Sequence, residues 1–394
     1  MYPNNQPSRL GNGAAHDVIV VGARAAGAAT AMLLARRHVR TLLLDNVPHG
    51  PSTPCTHALM RGGVLQLSRW GLLDQLIAAG VPPVRRTTFR YGDENLIITV
   101  KPAHGVDALY APHHASLRPI VLDAALQAGV EVVQTRAVDV IVRNGRVVGV
   151  RATRQDGELI DLGAAIVIGA DGIYSTIAQR VGATFTHVGP HASAFAYAYW
   201  SDLATDGYEW NLHPNASSAV IPTSNGEAFV FVSASPARIG DGGVDVIRDL
   251  VAQGAPKLAE RLAAATMSST EASAWKGHHS YIRQSHGPGW ALVGAAGYFI
   301  DPISAHGLTD ALRDSELLAR AVVDGFDSTS SLEESLEDYQ RTRDAIGLPL
   351  FTAVDRIAGQ QWDDAEIARL VLQMNSAIAD EAEALSALGS EAAS

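Results

Sequence analysis

A short stretch near the start of the chain constrains the fold more than any other part of the sequence. It runs Asp17-Val-Ile-Val-Val-Gly22-Ala-Arg24-Ala-Ala-Gly27, and the chain continues through small and apolar residues to Leu-Leu-Leu-Asp45. This pattern predicts a buried strand, a tight glycine turn, a helix of small residues and a second buried strand that ends on an acid. The layout is that of a βαβ unit, which places a parallel sheet in the core of the protein.

The same stretch has the spacing of a dinucleotide-binding fingerprint. Gly22 would form the turn from strand to helix, and Gly27 would let the helix pack close to the sheet. The helix amino terminus, around Ala26, would face a pyrophosphate, because its N–H groups and its dipole favour an anion. Asp45 lies 23 residues after Gly22, near the distance expected for a carboxylate that binds a ribose hydroxyl. Arg24 stands where a second glycine is usual and would add a cation. An ordinary crossover whose glycines serve packing alone is the alternative.

Composition and charge narrow the class of protein. The chain has 394 residues, of which 47% are hydrophobic and 18% charged, and this globular composition allows two domains of roughly 150 residues each. The net charge is −11 without a long Lys or Arg run. We therefore expect no nucleic acid partner, because phosphate backbones require a basic surface. The single cysteine, Cys55, leaves no intrachain disulfide, which fits a reducing compartment.

The start of the chain shows no targeting or membrane-spanning segment. Residues 1–16 are polar and rich in Gly, Asn and Pro, so we expect a flexible leader rather than a signal peptide. The apolar run from Asp17 to Val21 is too short to span a membrane. The sequence therefore predicts a cytoplasmic protein without a membrane span.

Two later apolar strands also end in glycine and small residues, at Gly169-Ala-Asp-Gly and at Gly294-Ala-Ala-Gly. Ligands in open α/β sheets lie at the carboxyl ends of strands. We therefore expect these two segments and the Gly22 turn to converge on one long ligand. Residues 192–235 alternate in the manner of antiparallel strands and predict a second domain. After residue 307 the chain reads as helical, and its acidic, alanine-rich end is expected to be a surface helix that frays.

The combined motifs resemble those of FAD-dependent monooxygenases of the para-hydroxybenzoate hydroxylase type and of the related geranylgeranyl-reductase-like flavoproteins. The resemblance extends from Asp17 to about Ala321. The motifs that carry it are the Gly22 fingerprint, Arg61-Gly-Gly-Val-Leu, the segment from Gly169 to Ser175 and the segment from Gly294 to Asp314.

This resemblance implies FAD as cofactor, NADPH or NADH as reductant and a small-molecule substrate. Arg61 would reach the FAD pyrophosphate, and Asp171 would lie at the FAD. The segment from Gly294 to Asp314 resembles the one that runs beneath the ribityl chain. The helix after Gly307 would aim its amino terminus at the flavin N1–C2 carbonyl edge, where reduced flavin is anionic. The predicted cofactor-binding residues are Gly22, Arg24, Ala26, Gly27, Asp45, Arg61, Asp171, Gly172, Gly294, Ala295, Asp301, Pro302, Gly307 and Leu308.

The implied fold class is α/β, with a Rossmann-like FAD-binding domain, an inserted antiparallel β-sheet substrate domain and a helical C-terminus. The FAD-binding domain would be discontinuous, and the substrate domain would be inserted between its parts. The predicted divisions are 17–100, 118–185 and 286–325 for the FAD-binding domain, 101–117 and 186–285 for the substrate domain, and 326–394 for the C-terminal helices.

Two places depart from the family pattern. In residues 113–118, which read His-His-Ala-Ser-Leu-Arg, relatives often carry Arg, Arg and Leu-Asp, so the basic character is weakened and Arg118 replaces an acid. Ala295 stands where an Asp usually hydrogen-bonds the ribityl chain, and such a charge-assisted contact is worth about 1.5–3 kcal/mol. His306 is the candidate catalytic residue, as an acid, a base or a group that orients substrate. A polar loop residue that shapes the turn before Gly307 is the alternative. We expect no metal site, because the histidines include no His-x-x-x-His with a nearby acid.

The sequence therefore predicts an FAD-dependent monooxygenase. It would use NAD(P)H and O₂ to hydroxylate or epoxidise an apolar or aromatic small molecule, as in secondary metabolism. One alternative is flavin-dependent reduction of carbon–carbon double bonds, since the reductase-like branch also carries Gly-Ala-Arg at the fingerprint. Another is a family member with weak, structural or lost FAD and a non-redox role. The substrate, the choice between NADH and NADPH and the oligomeric state stay open.

Overall fold

The computed structural model describes residues 16–46, 58–269, 271–327 and 331–389. The expectations for Cys55 and for residues 1–15 lie outside these ranges. In chain order the strands are β1 Val18–Val21, β2 Thr41–Asp45, β3 Arg86–Tyr91, β4 Glu94–Thr99, β5 Glu131–Gln134, β6 Arg136–Arg143, β7 Arg146–Thr153, β8 Leu159–Gly163, β9 Ile166–Gly169, β10 Phe185–Val188, β11 Ala194–Ser201, β12 Tyr208–Asn211, β13 Ser217–Pro222, β14 Glu227–Ala234, β15 Thr266–Met267, β16 Ser273–Trp275, β17 Tyr281–Arg283, β18 His286–Gly287, β19 Trp290–Leu292 and β20 Tyr298–Phe299.

The helices are α1 Ala25–Arg36, α2 Arg61–Arg69, α3 Leu73–Ala78, α4 His114–Gln127, α5 Thr176–Arg180, α6 Pro236–Ile239, α7 Val244–Gly254, α8 Pro256–Ala264, α9 Gly307–Asp327, α10 Leu332–Ala358 and α11 Asp364–Ala387. Short 3₁₀ turns occupy Ser224–Gly226, Gly294–Ala296 and Pro302–Ser304. None of the helices in the described ranges combines the length and apolar character needed to cross a membrane.

The first sheet confirms the predicted βαβ core. Its strand order is β18-β19-β9-β1-β2-β5, and the pairs from β19 to β5 are parallel. β1 reads Val-Ile-Val-Val and β9 reads Ile-Val-Ile-Gly, and all eight residues are buried. Such continuous apolar runs are typical of parallel strands that are covered on both faces. One face packs against α1, α4 and α9, and the other packs against β7 and α5.

A small sheet of β6, β7 and β8 lies beside the first sheet. β6 and β7 are joined by Asn144 and Gly145, whose φ angles of 51° and 75° are both positive. A two-residue hairpin requires this backbone conformation, and Asn-Gly is the pair that adopts it most readily.

The second sheet has the order β15-β11-β14-β13-β12-β3-β4, and β16 also pairs with β11. Alternate side chains of β11 point to opposite faces, as the pleat of a strand requires. The inner face, which includes Tyr197 and Tyr199, packs against residues 300–305 and against α10 and α11. The outer face, which includes Trp200, is covered by α7 and α8. The predicted antiparallel domain therefore exists as a sheet with a helical outer layer.

The division of the chain between the two sheets differs from the expectation at one boundary. β3 and β4 fall within the range 17–100, but they extend the second sheet, where β3 pairs in parallel with β12 and antiparallel with β4. β4 alternates exposed and half-buried residues, which is the pattern of a strand at the margin of an antiparallel sheet. The chain therefore enters the second sheet at residue 86 rather than after residue 100.

The C-terminal helices belong to the core of the protein. Glu381 and Leu385 of α11 are buried. Arg69 donates hydrogen bonds of 2.6 and 2.8 Å to the carbonyl oxygens of Leu385 and Ser386. A cation at the carboxyl end of a helix satisfies carbonyl groups that have no partner within the helix. For the described residues up to 389, the expectation of a fraying surface helix is therefore wrong.

Candidate active site

The glycine turn after β1 lies at an edge of the first sheet where three strand ends meet. Val21 pairs with Gly169, and Gly169 pairs with Leu292, in adjacent parallel strands. Gly22 has a φ of +106°, and a Cβ atom there would lie 2.6 Å from the carbonyl oxygen of Ala170. Only glycine allows so close an approach at a positive φ. The three strand ends therefore converge as the sequence predicts.

The first turn of α1 packs directly onto this turn. A Cβ atom at Gly27 would lie 1.8 Å from the carbonyl oxygen of Gly22, so a larger residue would separate the helix from the strand. Arg24 occupies the cap position and is exposed, but its side chain forms no capping hydrogen bond. Binding of an anion by the N–H groups of this helix terminus stays a prediction.

Small residues let α9 cross α1 at close range. A Cβ atom at Gly294 would lie 2.9 Å from the Cβ atom of Ala26 and 3.7 Å from that of Ala311. The hydroxyl oxygen of Ser315 lies 2.9 Å from the carbonyl oxygen of Ala26 and 2.7 Å from that of Ala311. Ala26 and Gly294 therefore hold the start of α9 beside the glycine turn.

Asp45 ends β2 as predicted, and it contacts Arg118, which the sequence analysis noted only as a departure from the family pattern. Arg118 of α4 donates from Nη2 to Asp45 Oδ2 at 2.5 Å and from Nε to the carbonyl oxygen of Ala23 at 3.3 Å. Arg118 therefore links the acid to the glycine turn. The two charged residues are 73 positions apart, so no local spacing in the sequence could identify the pair.

A cavity of about 220 Å³ opens next to Asp45, at the carboxyl ends of β2 and β5. Seven of the eight residues that line it have polar side chains, and three belong to β6 and β7 of the small sheet. The lining residues are Asn46, Gln134, Thr135, Arg136, Val138, Thr153, Arg154 and Gln155.

Arg61 lies at the start of α2, close to the start of α9. The N–H of Met60 donates to the hydroxyl oxygen of Thr309 at 3.0 Å, which fixes the two helix starts to each other. The Arg61 guanidinium donates to three carbonyl oxygens of residues 101–106 over 2.6 to 3.3 Å. The contact between Arg61 and a pyrophosphate stays a prediction.

Asp171 caps the short helix that follows it. Its Oδ2 accepts hydrogen bonds from the N–H groups of Thr176 and Ile177 at 2.7 and 3.2 Å, and its Oδ1 accepts from the Ser175 hydroxyl. Burial raises the pKa of Asp171, and the hydrogen bonds to its ionised form oppose that shift. Gly172 has a φ of +82° and open space where a Cβ atom would stand. The motif forms a well-bonded loop, and its contact with a cofactor stays a prediction.

Asp301 is fully buried and holds the loop before α9 against the second sheet. Its Oδ1 accepts from the Ser193 hydroxyl at 2.6 Å and from the Ile303 N–H at 3.0 Å, and its Oδ2 accepts from the Ser193 N–H at 2.9 Å. Burial raises the pKa of Asp301 to about 6, although these hydrogen bonds favour the ionised form. Pro302 begins the 3₁₀ turn that Asp301 caps. Both residues therefore shape the approach to α9.

The amino terminus of α9 is accessible. Gly307 is exposed, with open space where a Cβ atom would stand, and Leu308 is half-buried. Ala295, in the loop that packs on this helix, is also half-buried. The position that would carry the usual Asp is therefore not enclosed in the core.

His306 precedes α9 and lies in a buried cluster of charged side chains, which we call the His306 cluster. Its Nε2 is 2.5 Å from Glu381 Oε2 and 3.8 Å from Asp310 Oδ1. Arg313 donates to Asp310, Glu381 and Asp314 over 2.7 to 3.0 Å. Burial alone would lower the pKa of His306, but the carboxylates of Glu381 and Asp310 outweigh burial and raise it.

The His306 cluster has the composition of an ion-pair network. Atoms of His306, Asp310 and Glu381 that could bind a metal lie within 4.8 Å of one another. Arg313 donates to both carboxylates, so a cation from the protein already neutralises them. His306 is fully buried, and a direct catalytic role for it stays a prediction.

A series of aromatic rings, which we call the aromatic wall, runs along the inner face of the second sheet and continues into β20 and β17, which pair in a separate small sheet. The series begins at His113, just before α4, and ends at Tyr281. The Tyr281 hydroxyl donates to the carbonyl oxygen of Ala295, in the loop after β19. Neighbouring rings have centroids 5.3 to 6.0 Å apart. Tyr199, Trp275 and Phe299 are only half-buried. The members in order are His113, Tyr199, Phe229, Phe231, Phe195, Trp275, Phe299 and Tyr281.

Comparisons with known proteins agree with this geometry. Residues 15–352 match the family described as FAD binding domain. Digeranylgeranylglycerophospholipid reductase of Methanothrix thermoacetophila is 25% identical over 358 residues, which cover 86% of each chain.

Two solved structures share the fold. One is PqsL, a probable FAD-dependent monooxygenase from Pseudomonas aeruginosa, with a TM-score of 0.77 and 20% identity over 90% of this chain and 99% of that chain. The other is the myxobacterial chondrochloren halogenase CndH, with a TM-score of 0.77 and 22% identity over 94% of this chain and 96% of that chain.

Proposed function

Because the chain belongs to the FAD-binding domain family and is an FAD-dependent oxidoreductase, we propose that it is a monooxygenase. It uses NADH or NADPH and O₂ to hydroxylate or epoxidise an apolar or aromatic small molecule. The observation that carries this proposal is the aromatic wall, whose half-buried rings form a surface suited to a flat, uncharged substrate.

The residues at the edge of the first sheet fit FAD. Gly22, Gly27 and Gly294 allow the loops to pack tightly against one another, whereas Gly172 and Gly307 are open on their outer sides. The start of α1 would receive the pyrophosphate, and Asp45 with Arg118 would receive the adenosine ribose. The start of α9 would stabilise negative charge on the reduced flavin. When bound, FAD supplies hydride acceptance from the nicotinamide and activation of O₂.

The protein itself then has two tasks, which are to position the substrate and to exclude water from the reaction. The aromatic wall binds an apolar substrate by stacking, since offset or edge-on ring pairs are favourable at centroid distances of about 4.5–7 Å. Seven of the eight rings carry no charge, and the Arg283 guanidinium lies 4.7 Å from the Tyr281 ring at one end of the wall, so the wall would favour a largely neutral aromatic substrate. Oxygen transfer requires no side-chain nucleophile, and the proposal names none.

A second candidate function is reduction of carbon–carbon double bonds. The observation that favours it is the similarity to an archaeal reductase over 86% of both chains. The Ala23-Arg24 pair at the fingerprint agrees with this branch. Under this alternative the aromatic wall would contact a prenyl-like chain.

A third candidate is a non-redox role with weak or structural FAD. Ala295 supports it, because the position lacks the usual acid for the ribityl chain. The Arg61 guanidinium supports it as well, since three backbone carbonyls already accept its hydrogen bonds.

The first test is the visible absorption spectrum of the purified protein before and after addition of FAD. A bound-flavin spectrum supports both redox functions, and its absence with excess FAD leaves the third candidate. The reduced protein is then mixed with isotopically labelled O₂ and either a panel of neutral aromatic compounds or geranylgeraniol. Labelled oxygen in a product supports the monooxygenase, whereas a product that has gained two hydrogens without oxygen supports the reductase.

A further inference from the structure

The His306 cluster contains buried polar atoms that no partner satisfies. Among the described residues, His306 Nδ1, Asp310 Oδ2 and Asp314 Oδ2 have no hydrogen-bond partner. Buried polar atoms are normally hydrogen-bonded, and each exception calls for an explanation such as a redox or catalytic role. The cluster therefore has free positions that could accept a proton.

When all five side chains of the cluster are ionised, their positive and negative charges do not cancel. His306 and Arg313 carry two positive charges when protonated, and three ionised carboxylates face them, so the net charge is −1. One more proton makes the cluster neutral, which burial favours. Burial raises the pKa of Asp310 to about 7, although Arg313 and His306 act in the opposite direction. The cluster is therefore poised to bind or release one proton near neutral pH.

Other charged groups around the cluster also bind partners outside it, although burial raises the pKa of Asp314 and Arg343 acts in the opposite direction to lower it. Arg343 of α10 donates to the Ser285 hydroxyl, to the Arg283 carbonyl oxygen and to Asp344. The Tyr298 ring lies 4.8 Å from the Arg313 guanidinium. The charged residues of α2, Arg61 and Arg69, donate to backbone carbonyl oxygens. The cluster proton is therefore governed chiefly by His306, Asp310, Glu381, Arg313 and Asp314.

The cluster lies directly behind the amino terminus of α9. His306 immediately precedes Gly307, and Asp310 and Arg313 lie within the first two turns of the helix. The proposed function places the flavin at this terminus. A negative charge that appears there raises the proton affinity of nearby groups through the low-dielectric interior.

We propose that the His306 cluster takes up one proton when the flavin is reduced, and so sets the pH dependence of the flavin reduction potential. Hydride transfer from the nicotinamide oxidises it and leaves one negative charge on the reduced flavin, and the cluster gains one proton from solvent in compensation. His306 and Asp310 act as positioning residues, since neither touches the reacting atoms. The inference rests on the proposed function only in that FAD binds at the start of α9.

The test is the midpoint potential of bound FAD measured at a series of pH values from 6 to 8. One additional proton per two electrons makes the potential of the natural protein fall about 30 mV more per pH unit than uptake of a single proton would. The variants His306→Asn and Asp310→Asn are expected to lose this additional slope. Binding of FAD is measured separately for each variant, so that a changed affinity is not mistaken for a changed potential.

His104→Asn is the matched control. His104 Nε2 lies 2.9 Å from Glu383 Oε1. The control therefore removes another His–Glu pair whose acid, like Glu381, belongs to α11. That pair is at the surface, with side chains 30% and 69% exposed, and it is expected to leave the slope unchanged. Asn is chosen because His104 has a φ of +53°, which Asn tolerates.

Three results would overturn the inference. The first is a slope in both variants equal to that of the natural protein, and the second is a natural protein whose slope already corresponds to a single proton. The second result decides even if neither variant folds. The third is failure of the natural protein to bind FAD, which overturns the proposed function as well. Bound FAD with the expected slopes but without oxygenation supports the inference and removes only the monooxygenase proposal.

Discussion

The hydroxyl of Tyr281 donates a hydrogen bond of 2.6 Å to the carbonyl oxygen of Ala295 and lies 3.3 Å from the carbonyl oxygen of Ile173. Tyr281 therefore joins the loop after β9 to the loop after β19. Its ring is only 1% exposed and packs against Phe299 with centroids 5.6 Å apart. The hydroxyl has a fixed position, and the spacing of two loops at the proposed FAD site depends on it.

We expect Tyr281→Phe to weaken both the fold and the binding of FAD. Removal of the hydroxyl leaves a partly buried carbonyl oxygen without its donor, which lowers the free energy of unfolding by about 1 kcal/mol. The dissociation constant for FAD should rise several-fold, because the two loops lose their common anchor. Urea unfolding gives the first quantity, and fluorescence titration with FAD gives the second.

Tyr208→Phe is the matched control for this prediction. The Tyr208 hydroxyl is also buried and donates to the carbonyl oxygen of Tyr110 at 2.7 Å, but it lies in the second sheet. Tyr208→Phe should lower the free energy of unfolding by a similar amount without a change in FAD affinity. An equal loss of FAD affinity in both variants would show that stability alone governs binding.

The sequence predicted the parts of the site that follow from local pattern. β1, α1 and β2 follow from continuous apolar runs and from glycines at fixed spacing, and the position of Asp45 follows from the same unit. Arg118 and Glu381 could not be predicted in this way. Each contacts its partner across more than 70 residues. The departure from the family pattern at Arg118 did not indicate its contact with Asp45, and no motif marks Glu381.

Two acids of the site show a different limit of sequence reasoning. The resemblance implied that Asp171 and Asp301 contact the cofactor, and in the structure both carboxylates accept hydrogen bonds from backbone N–H groups at the start of a helical turn. An acid at the start of a helical turn can bind either a cofactor or the backbone N–H groups of that turn. The residue type alone does not show which of the two it does. Likewise, the membership of β3 in the second sheet depends on its pairing with β12, which no local alternation reveals.

Ala295→Asp should strengthen the binding of FAD. The resemblance places a carboxylate at this position against the ribityl hydroxyls, and Ala295 is only half-buried. A charge-assisted hydrogen bond of about 1.5–3 kcal/mol corresponds to a dissociation constant lower by about tenfold or more. Calorimetric titration with FAD measures the change. Ala295→Asn supplies the same shape without the charge and should give a smaller gain, and an unchanged affinity in the Asp variant would contradict the prediction.

Arg69→Met should loosen the end of α11. Arg69 satisfies the carbonyl oxygens of Leu385 and Ser386, and loss of this cation at a helix carboxyl terminus costs about 0.3–2 kcal/mol. Amide hydrogen exchange should become faster in the last two turns of the helix. Arg369→Met on the exposed face of the same helix is the control, and equal exchange in both variants would show that Arg69 does not anchor the helix.

Asp301 should give the fold a distinct dependence on pH. Its pKa is about 6 in the folded protein and about 3.9 in an unfolded chain. Between these values the folded state binds more protons than the unfolded state, so the contribution of Asp301 to stability is largest below about pH 4. It falls by about 3 kcal/mol as the pH rises to about 6 and is constant above that value.

The difference between the natural protein and Asp301→Asn isolates this effect, because the other titrating groups are common to both. Urea unfolding at pH values from 4 to 7 should show the natural protein losing stability relative to the variant as the pH rises. The altered hydrogen bonding of the amide shifts all values equally and does not change this trend.

Asp161→Asn is the control of opposite sign, since hydrogen bonding to Arg151 lowers the pKa of the exposed Asp161. The stability that Asp161 contributes is present above its unfolded pKa and is lost only as the pH falls through its folded pKa. A stability difference for Asp301→Asn that stays constant over this range would mean that Asp301 is ionised throughout, and that hydrogen bonds from Ser193 and Ile303 outweigh its burial.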